Sequence, residues 1–305
     1  MRTKSAAAPR TELGETIAIL GTGLIGASIG LALKRKDKRV RIVGWDAKRA
    51  ASAAAKRRRA VDEIAPSLCE AIGSADIIVL AAPHAAILKL MPATFGSAPH
   101  KSLIIDVAGL KTKISARASR LLAAHRGAAF VAGHPMAGLE RAGPSNAKAD
   151  LFVGRPFAIH APPQPGRNAV TIRARKFVRR LGALPVEVEP ELHDRIVAAT
   201  SALPQLAAVA MASAVDRRAG GAASSLAGPA LESSLRLAAS PFASWETGLL
   251  ENSGHLVPAL RELERRLRQL TKAIERGDRR LLARSFASAA EASRRVLRFR
   301  KRNTR

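Results

Sequence analysis

A glycine-rich turn between an apolar strand and a helix constrains this chain more than any other feature. The segment Gly21-Thr22-Gly23-Leu24-Ile25-Gly26 directly follows the apolar run 16–20 and opens a helical stretch. In a dinucleotide-binding loop, the first glycine permits a tight turn and the second lets the backbone approach a diphosphate. The third glycine lets the helix pack on the strand, and the helix N-terminus offers N–H groups to the phosphates. We therefore predict cofactor-binding residues at Gly21, Gly23, Leu24, Ile25 and Gly26.

An acidic residue at the end of the second predicted strand refines this prediction. Asp46 follows the run 41–45 and stands about 20 residues beyond the loop, where an acid can bind the adenosine ribose hydroxyls. Its carboxylate would also repel the 2′-phosphate of NADP, so we expect NAD. Lys48 and Arg49 lie close by and could offset this repulsion, so NADP remains an alternative. Asp46 could instead cap the next helix.

The predicted secondary structure changes in character near Glu189. The first part alternates short apolar strands with helical stretches, as parallel sheets with crossover helices do. We predict strands at 16–20, 41–45, 77–81, 103–107, 128–132, 157–160 and 184–188, and helices at 24–34, 48–59 and 168–181. The second part shows only helical periodicity, as in 256–274 and 279–297. The predicted fold class is α/β, with a Rossmann-type, mostly parallel, doubly wound sheet followed by an all-helical C-terminal domain.

The predicted secondary structure sets the domain limits, and the cysteine content indicates the cellular compartment. We predict a flexible N-terminal tail at 1–15, a dinucleotide-binding domain at 16–189, a helical domain at 190–297 and a basic tail at 298–305. Cys69 is the single cysteine, so an intrachain disulfide is excluded and a reducing cytoplasm is expected. The polar N-terminus does not resemble a secretory signal.

Charge and one apolar stretch raise two further possibilities. The formal net charge of +27 could indicate nucleic-acid binding. However, the chain has no tyrosine and only 3% aromatic residues, so stacking platforms for bases are scarce. We favour a general basic bias that draws small anionic substrates toward the protein. The stretch 196–215 carries no charge but is rich in alanine, so we predict a buried core helix rather than a membrane span.

The residues after the predicted strand 128–132 are the most informative about chemistry. They read Val131-Ala132-Gly133-His134-Pro135-Met136-Ala137-Gly138-Leu139-Glu140. His134 would lie at the carboxyl end of a sheet strand, near the nicotinamide side of a dinucleotide crevice. Together with later motifs, this segment resembles the prephenate/arogenate dehydrogenase family, which includes cyclohexadienyl dehydrogenases. The later motifs are Asp150-Leu151-Phe152, His193-Asp194-Arg195, Ala199-Thr200-Ser201, Arg236-Leu237-Ala238-Ala239-Ser240-Pro241, Trp245 and Asn252.

The resemblance implies a reaction and an assembly. The family joins a Rossmann-type domain to a helical domain that dimerises, so a homodimer is expected. Its enzymes oxidise the ring carbinol of prephenate or arogenate by hydride transfer to NAD in tyrosine biosynthesis. The ring carboxylate leaves as carbon dioxide. The hydroxyl proton needs an acceptor, and neutral imidazole suits that near pH 7, which makes His134 the candidate catalytic base. We predict no metal site.

The same resemblance assigns the substrate-binding residues. Arg236 resembles the arginine that binds a substrate carboxylate, for which a guanidinium offers bidentate geometry. Trp245 is expected at the site wall or a subunit interface, and Glu140 could gate the pocket or pair with a basic residue. We expect His193 to help join the domains and Asp194 to cap the next helix, with neither of them catalytic.

Two positions depart from the family pattern. The segment Asp106-Val107-Ala108-Gly109-Leu110-Lys111 has glycine where the family often has a serine that helps hold the histidine and the substrate. Leu203-Pro204-Gln205 has glutamine where the family has histidine. Gln205 can still hydrogen-bond a substrate carboxylate or ketone, although it carries no charge. These changes leave the choice between prephenate, arogenate and an amino-substituted analogue open.

Two other functions remain alternatives. A β-hydroxyacid-type NAD(P) dehydrogenase also joins a Rossmann domain to a helical one, but such enzymes use a lysine on the helical domain. The helical stretch 192–215 has no lysine. A catalytically impaired protein that only senses the cofactor could have lost its activity together with the hydroxyl at Gly109.

Overall fold

The computed structural model describes residues 14–125, 127–139 and 141–297. The chain divides into two compact units, with the division between His193 and Asp194. Residues 1–13 of the predicted N-terminal tail and the predicted basic tail 298–305 lie outside the described residues. Glu15 is already anchored, because its backbone carbonyl accepts a hydrogen bond from the Arg41 N–H at 3.1 Å and its carboxylate contacts Arg180.

The first unit is built on an eight-stranded sheet. In chain order the strands are β1 Thr16–Leu20, β2 Arg41–Trp45, β3 Glu63–Ile64, β4 Ile77–Leu80, β5 Leu103–Asp106, β6 Ala129–Pro135, β7 Pro156–His160 and β8 Leu184–Glu187. Their spatial order is β3-β2-β1-β4-β5-β6-β7-β8. Neighbouring strands are parallel except β6 and β7, which are antiparallel. The predicted mostly parallel sheet is confirmed.

Helices connect these strands. They are α1 Leu24–Lys36, α2 Arg49–Arg57, α3 Leu68–Ile72, α4 His84–Ser97, α5 Thr112–Ala124 and α6 Arg167–Arg180, with a 3₁₀ turn at Pro144–Asn146. The sequence pattern predicted α1, α2 and α6 but not the helices α3, α4 and α5. Parallel strands need crossover connections, which are usually helical, and these three helices lie in the connections between β3, β4, β5 and β6.

Both faces of the sheet are buried. In β1, Ile17 and Ile19 pack into one apolar layer, while Ala18 and Leu20 pack into the other. Side chains alternate between the faces of a strand, so an unbroken apolar run such as TIAIL is what a strand covered on both sides requires. Helices α1 and α6 contribute to the first layer, and α3, α4 and α5 contribute to the second. The sheet is therefore doubly wound, as predicted.

The second unit is helical throughout its described residues. Helix α7, Pro190–Val197, crosses the division, and a π-helical turn, Ala198–Ala202, follows it. The remaining α-helices are α8 Leu203–Ala219, α9 Pro229–Leu235, α10 Glu246–Leu250, α11 Ser253–Glu275 and α12 Arg279–Val296. The 3₁₀ segments are Gly220–Leu226, Arg236–Ala239 and Phe242–Ser244. The helical character predicted for this part of the chain is confirmed.

The uncharged stretch 196–215 is not a buried core helix in the single chain, so that prediction is wrong. In α8 only Gln205 and Ala208 are buried, and Val209 and Met211 are each 42% exposed. The physical reason is the small core of this unit, which consists of Ala198, Ala202 and Leu256 with a few partly buried neighbours. The helical stretch Pro190–Leu226 is long and apolar enough to cross a membrane, judged by length and composition only. Core helices of soluble proteins meet the same two criteria.

Candidate active site

The glycine loop has one open position between two packed ones. Gly21 has φ of +104°, and a Cβ there would lie 2.5 Å from the carbonyl oxygen of Ala81. A Cβ at Gly26 would lie 2.0 Å from the carbonyl oxygen of Gly21. At Gly23, in contrast, an added Cβ would meet nothing within 4 Å. The outer glycines are thus required by the protein backbone, and the middle one leaves the space that a diphosphate needs. The loop fits a dinucleotide.

The loop stands where a parallel sheet binds its ligands. Gly23 is extended and precedes α1 without a side-chain cap, and the first turn of α1 has no acidic residue. The N-terminal N–H groups of α1, which include those of Leu24 and Ile25, therefore favour an anion. The strand order reverses between β1 and β4, and ligands of such sheets bind outside the carboxyl ends of the strands at that switch point.

Asp46 fastens this loop to the strand beside it. Its Oδ2 accepts a hydrogen bond from the Thr22 N–H at 2.8 Å, and its Oδ1 accepts one from the Lys48 N–H at 2.8 Å. The second bond forms a turn just before α2, but the N-cap of that helix is Lys48 and no side chain caps it, so Asp46 does not cap α2. An ionised carboxylate has about four lone-pair sites. Two backbone bonds and a third bond from the Thr22 hydroxyl at 3.3 Å therefore still leave acceptor capacity for a ribose hydroxyl.

His134 lies within β6, because this strand runs to Pro135 and not only to residue 132 as predicted. Residues 129–131 pair in parallel with β5, and residues 132–135 then pair antiparallel with β7, so that His134 stands opposite Ala158. The antiparallel partner extends the strand past the point where the parallel pairing ends. His134 nevertheless remains at the carboxyl end of β6. That end is three strand spacings, or about 14 Å, from β1.

A buried ion pair holds the peptide just before His134. The Lys111 ammonium contacts Asp106 Oδ2 and donates to the Gly133 carbonyl oxygen at 2.6 Å. Asp106 Oδ1 accepts from the Gly133 N–H at 3.1 Å, and Oδ2 accepts from the Ala108 N–H at 2.9 Å. The side chains of Lys111 and Asp106 are 2% and 0% exposed. Both polar groups of Gly133 are thus held, and we call this arrangement the Gly133 clamp.

His134 also bonds to a second histidine. Its Nδ1 lies 3.0 Å from Nε2 of His193, and the ring centroids are 5.1 Å apart at an interplanar angle of 65°. His193 is buried in α7, and its contact with His134 is a role that the sequence did not predict. Asp194 lies inside α7, and its carbonyl accepts from the Asn252 side chain at 2.8 Å. Since Asp194 is interior to a helix, it does not cap the next one.

The helical unit holds three of the predicted substrate-binding residues. Arg236 is exposed and begins a 3₁₀ turn. Gln205 is buried and donates from Nε2 to the Leu237 carbonyl at 2.9 Å, so it braces the residue next to Arg236. Trp245 is half-buried and packs on the small core of this unit. Glu140, the fourth predicted residue, lies outside the described residues.

At Gly109, in the first unit, an added Cβ would meet nothing within 4 Å. Space therefore does not require a glycine at this position, and a serine would fit there. The departure from the family pattern removes a hydroxyl without any visible steric reason.

Sequence reasoning missed the contacts of Asp106, Lys111 and His193. The first two carried a signal, because an aspartate that ends a buried apolar strand is followed five residues later by a lysine. A buried aspartate needs a partner, and Lys111 is one of the two lysines nearest to it along the chain, with Lys101 equally distant on the other side. The sequence held no comparable signal for the His134–His193 contact, since the two positions are 59 residues apart.

Comparisons with known proteins cover nearly the whole chain. The family model described as "Prephenate dehydrogenase, nucleotide-binding domain" matches residues 29–184, and "Prephenate dehydrogenase, dimerization domain" matches residues 189–288. A probable prephenate dehydrogenase of Streptomyces niveus is 32% identical over 93% of this chain and 74% of its own.

Two solved structures share the fold. The crystal structure of Synechocystis arogenate dehydrogenase has a TM-score of 0.77 and 25% identity, covering 92% of this chain and 99% of that one. Prephenate dehydrogenase from Aquifex aeolicus, in complex with hydroxyphenyl propionate and NAD+, has a TM-score of 0.77 and 21% identity, covering 96% of this chain and 100% of that one. At 21% identity the second likeness concerns the fold alone.

Proposed function

Because this chain belongs to the prephenate dehydrogenase family, we propose that it oxidatively decarboxylates prephenate or arogenate in tyrosine biosynthesis. The observation that carries the proposal is the position of His134. It stands at the carboxyl end of β6 in the sheet whose switch point holds the glycine loop. A dinucleotide whose diphosphate lies at Gly23 can extend its nicotinamide across β4 and β5 toward this imidazole.

Each group then has a defined task. The nicotinamide, when bound, accepts a hydride from the ring carbinol carbon. His134 takes the hydroxyl proton on Nε2, since its Nδ1 faces His193. Loss of the ring carboxylate as carbon dioxide leaves an aromatic product, so hydride, proton and carboxylate are all accounted for. The Gly133 clamp keeps the strand, and with it the imidazole, in place.

The cofactor proposed is NAD. The arrangement around Asp46 supports it, because the carboxylate that fastens Thr22 also stands where the 2′-phosphate of NADP would meet a negative charge. A solved structure with the same fold contains NAD+. Lys48 and Arg49 are exposed beside Asp46, so NADP is the alternative that the experiments need to include.

Replacing the carboxylate tests this preference. In an Asp46→Asn variant we expect the ratio of kcat/KM for NADP to that for NAD to rise roughly tenfold, because a repulsion of about 1.4 kcal/mol is removed. The ratio is measured from initial rates with each cofactor at saturating substrate. Asp37→Asn changes an acid at the exposed end of α1 and serves as the matched control. An unchanged ratio in Asp46→Asn would remove Asp46 from cofactor selection.

We propose that Arg236 binds a carboxylate of the substrate and that Gln205 holds the turn that carries Arg236. Gln205 reaches the Leu237 carbonyl, so its amide fixes the turn on which the Arg236 guanidinium is presented. Glu140 and Trp245 keep the substrate-site roles inferred from the resemblance. Because the guanidinium of Arg236 is exposed, this arrangement suits a small anionic substrate.

The arginine is tested by its effect on KM. A charge-assisted hydrogen bond contributes about 1.5–3 kcal/mol, so we expect Arg236→Ala to raise the substrate KM roughly tenfold or more while kcat changes less. Arg236→Lys keeps the charge but loses bidentate geometry, and it should fall between the wild type and Arg236→Ala. Arg261→Ala, an exposed change on α11, is the control. A wild-type KM in Arg236→Ala would point to another cation.

We also propose that the protein is a homodimer and works in the cytoplasm. The description of the second family model as a dimerization domain and the exposed apolar residues of α8, including Val209 and Met211, support an interface between two copies. A single cysteine suits a reducing compartment.

The proposed function is tested by turnover of two substrates with two cofactors. Prephenate and arogenate are each supplied with NAD or NADP, and reduced nicotinamide and carbon dioxide are followed together. We expect equal amounts of both products with at least one pair. Reduction without carbon dioxide release would indicate a different dehydrogenase, and no turnover with any pair would contradict the proposal.

A further inference from the structure

The contact between the two histidines has a consequence for proton transfer. A hydrogen bond between two neutral imidazoles needs one proton between the facing nitrogens, and the 3.0 Å distance from His134 Nδ1 to His193 Nε2 fits either ring as the donor. If His193 donates, neutral His134 carries its proton on Nε2 and cannot accept another there. If His134 donates, its Nε2 is bare and can act as a base.

The surrounding structure holds the backbone at both histidines. His134 lies in β6, which is paired with β7. The residue just before it, Gly133, is held by the Gly133 clamp. His193 lies in α7, and its N–H donates to the Glu189 carbonyl at 2.8 Å. Strand and helix are rigid supports, so the facing of the two nitrogens is a stable property of the first unit.

The start of α7 is itself tied to the sheet domain at two points. Glu191 Oε2 accepts from the Thr112 hydroxyl, at the first residue of α5, at 3.4 Å. Glu189 Oε2 lies 3.4 Å from His160 Nδ1 at the end of β7. Burial lowers the pKa of His160, and the neighbouring carboxylate of Glu189 offsets this only in part. These contacts hold the first turn of α7, which carries His193, on the sheet of the first unit.

Resting on the proposed function, we infer that His193 is a positioning residue that keeps neutral His134 in the tautomer with its proton on Nδ1. In that tautomer His134 Nε2 carries no proton and takes the substrate hydroxyl proton. The Nδ1–H continues to donate to His193 Nε2 and so stabilises the imidazolium that forms. Gly109 offers no side-chain hydroxyl for this purpose, whereas His193 provides a buried acceptor from another element.

Two variants at position 193 separate this role from a merely structural one. His193→Leu removes the acceptor, and we expect kcat to fall roughly 10–100-fold, as when the partner that orients a functional histidine is lost. His193→Gln retains an acceptor at a similar distance and should recover most of the rate. In both variants the KM for the cofactor should stay near the wild-type value, and the acid limb of the kcat/KM pH profile should move only in His193→Leu.

The tautomer itself is read without turnover. Long-range ¹H–¹⁵N spectra of protein labelled in its seven histidines distinguish protonated from bare ring nitrogens, and His134→Asn identifies the signals of His134. We expect Nδ1–H in the wild type and His193→Gln, with a shift toward Nε2–H in His193→Leu. The same tautomer in the wild type and His193→Leu, or Nε2–H in the wild type, would overturn the inference. Failure to turn over any substrate would contradict the proposed function instead. The spectra would still decide whether His193 sets the tautomer of His134.

Discussion

A His134→Asn variant is expected to lose about 10²–10⁴-fold in kcat, the usual contribution of a positioned general base. Asparagine places an amide group near the position of Nδ1, so it can still meet His193 across the 3.0 Å contact. It has no group at the position of Nε2 and cannot accept the substrate proton there. The loss should therefore fall on kcat and leave cofactor affinity intact.

The chain provides its own assay for that affinity. It contains two tryptophans and no tyrosine, and Trp45 ends β2 next to Asp46. In a Trp245→Phe background, quenching of Trp45 by NAD should follow cofactor binding, with roughly equal dissociation constants for wild type and His134→Asn. His100→Asn, an exposed histidine before β5, is the control for kcat. Wild-type turnover by His134→Asn would remove this residue from the chemistry.

The tasks of His134 and the glycine loop differ in how far the sequence predicts them. The loop is local: an apolar strand, three glycines at fixed spacing and a helix together specify the turn, and the structure shows Gly21 and Gly26 packed as that spacing implies. His134 was predicted from a resemblance, and its place inside β6 depends on β7, which pairs with it from 22 to 28 residues further along the chain. Pairing at that distance leaves little trace in a short window of sequence.

The supporting contacts were harder to predict for the same reason. His193 follows a proline-led helix start and reads as an ordinary helix residue until α7 is placed beside β6. The exposed face of α8 was predicted as buried because composition reports that a surface is apolar, whereas what covers the surface depends on assembly. Alanine-rich sequence therefore predicted the helix correctly and its surroundings wrongly.

The second large effect expected is on stability, from Lys111→Met. Methionine has a similar length but no charge, so the Asp106 carboxylate would remain buried without its cation. Removing one member of a buried ion pair typically costs about 3–5 kcal/mol, and here the Gly133 carbonyl loses its 2.6 Å donor as well. We expect the free energy of unfolding of the first unit to fall by that amount. Denaturant titration followed by Trp45 fluorescence, in the Trp245→Phe background, measures this unit separately.

Two further variants show whether the uncompensated charge is the cause. Lys89→Met alters an exposed lysine of α4 and should change stability by less than about 0.5 kcal/mol. Asp106→Asn combined with Lys111→Met removes both charges, while the asparagine oxygen can still accept from one of the backbone N–H groups that Asp106 binds. If the buried carboxylate is responsible, the double variant is more stable than Lys111→Met alone, since a neutral amide costs less to bury than an unpaired charge. If the double variant is instead less stable than Lys111→Met alone, the Gly133 clamp acts through its separate hydrogen bonds and the ion pair itself contributes little.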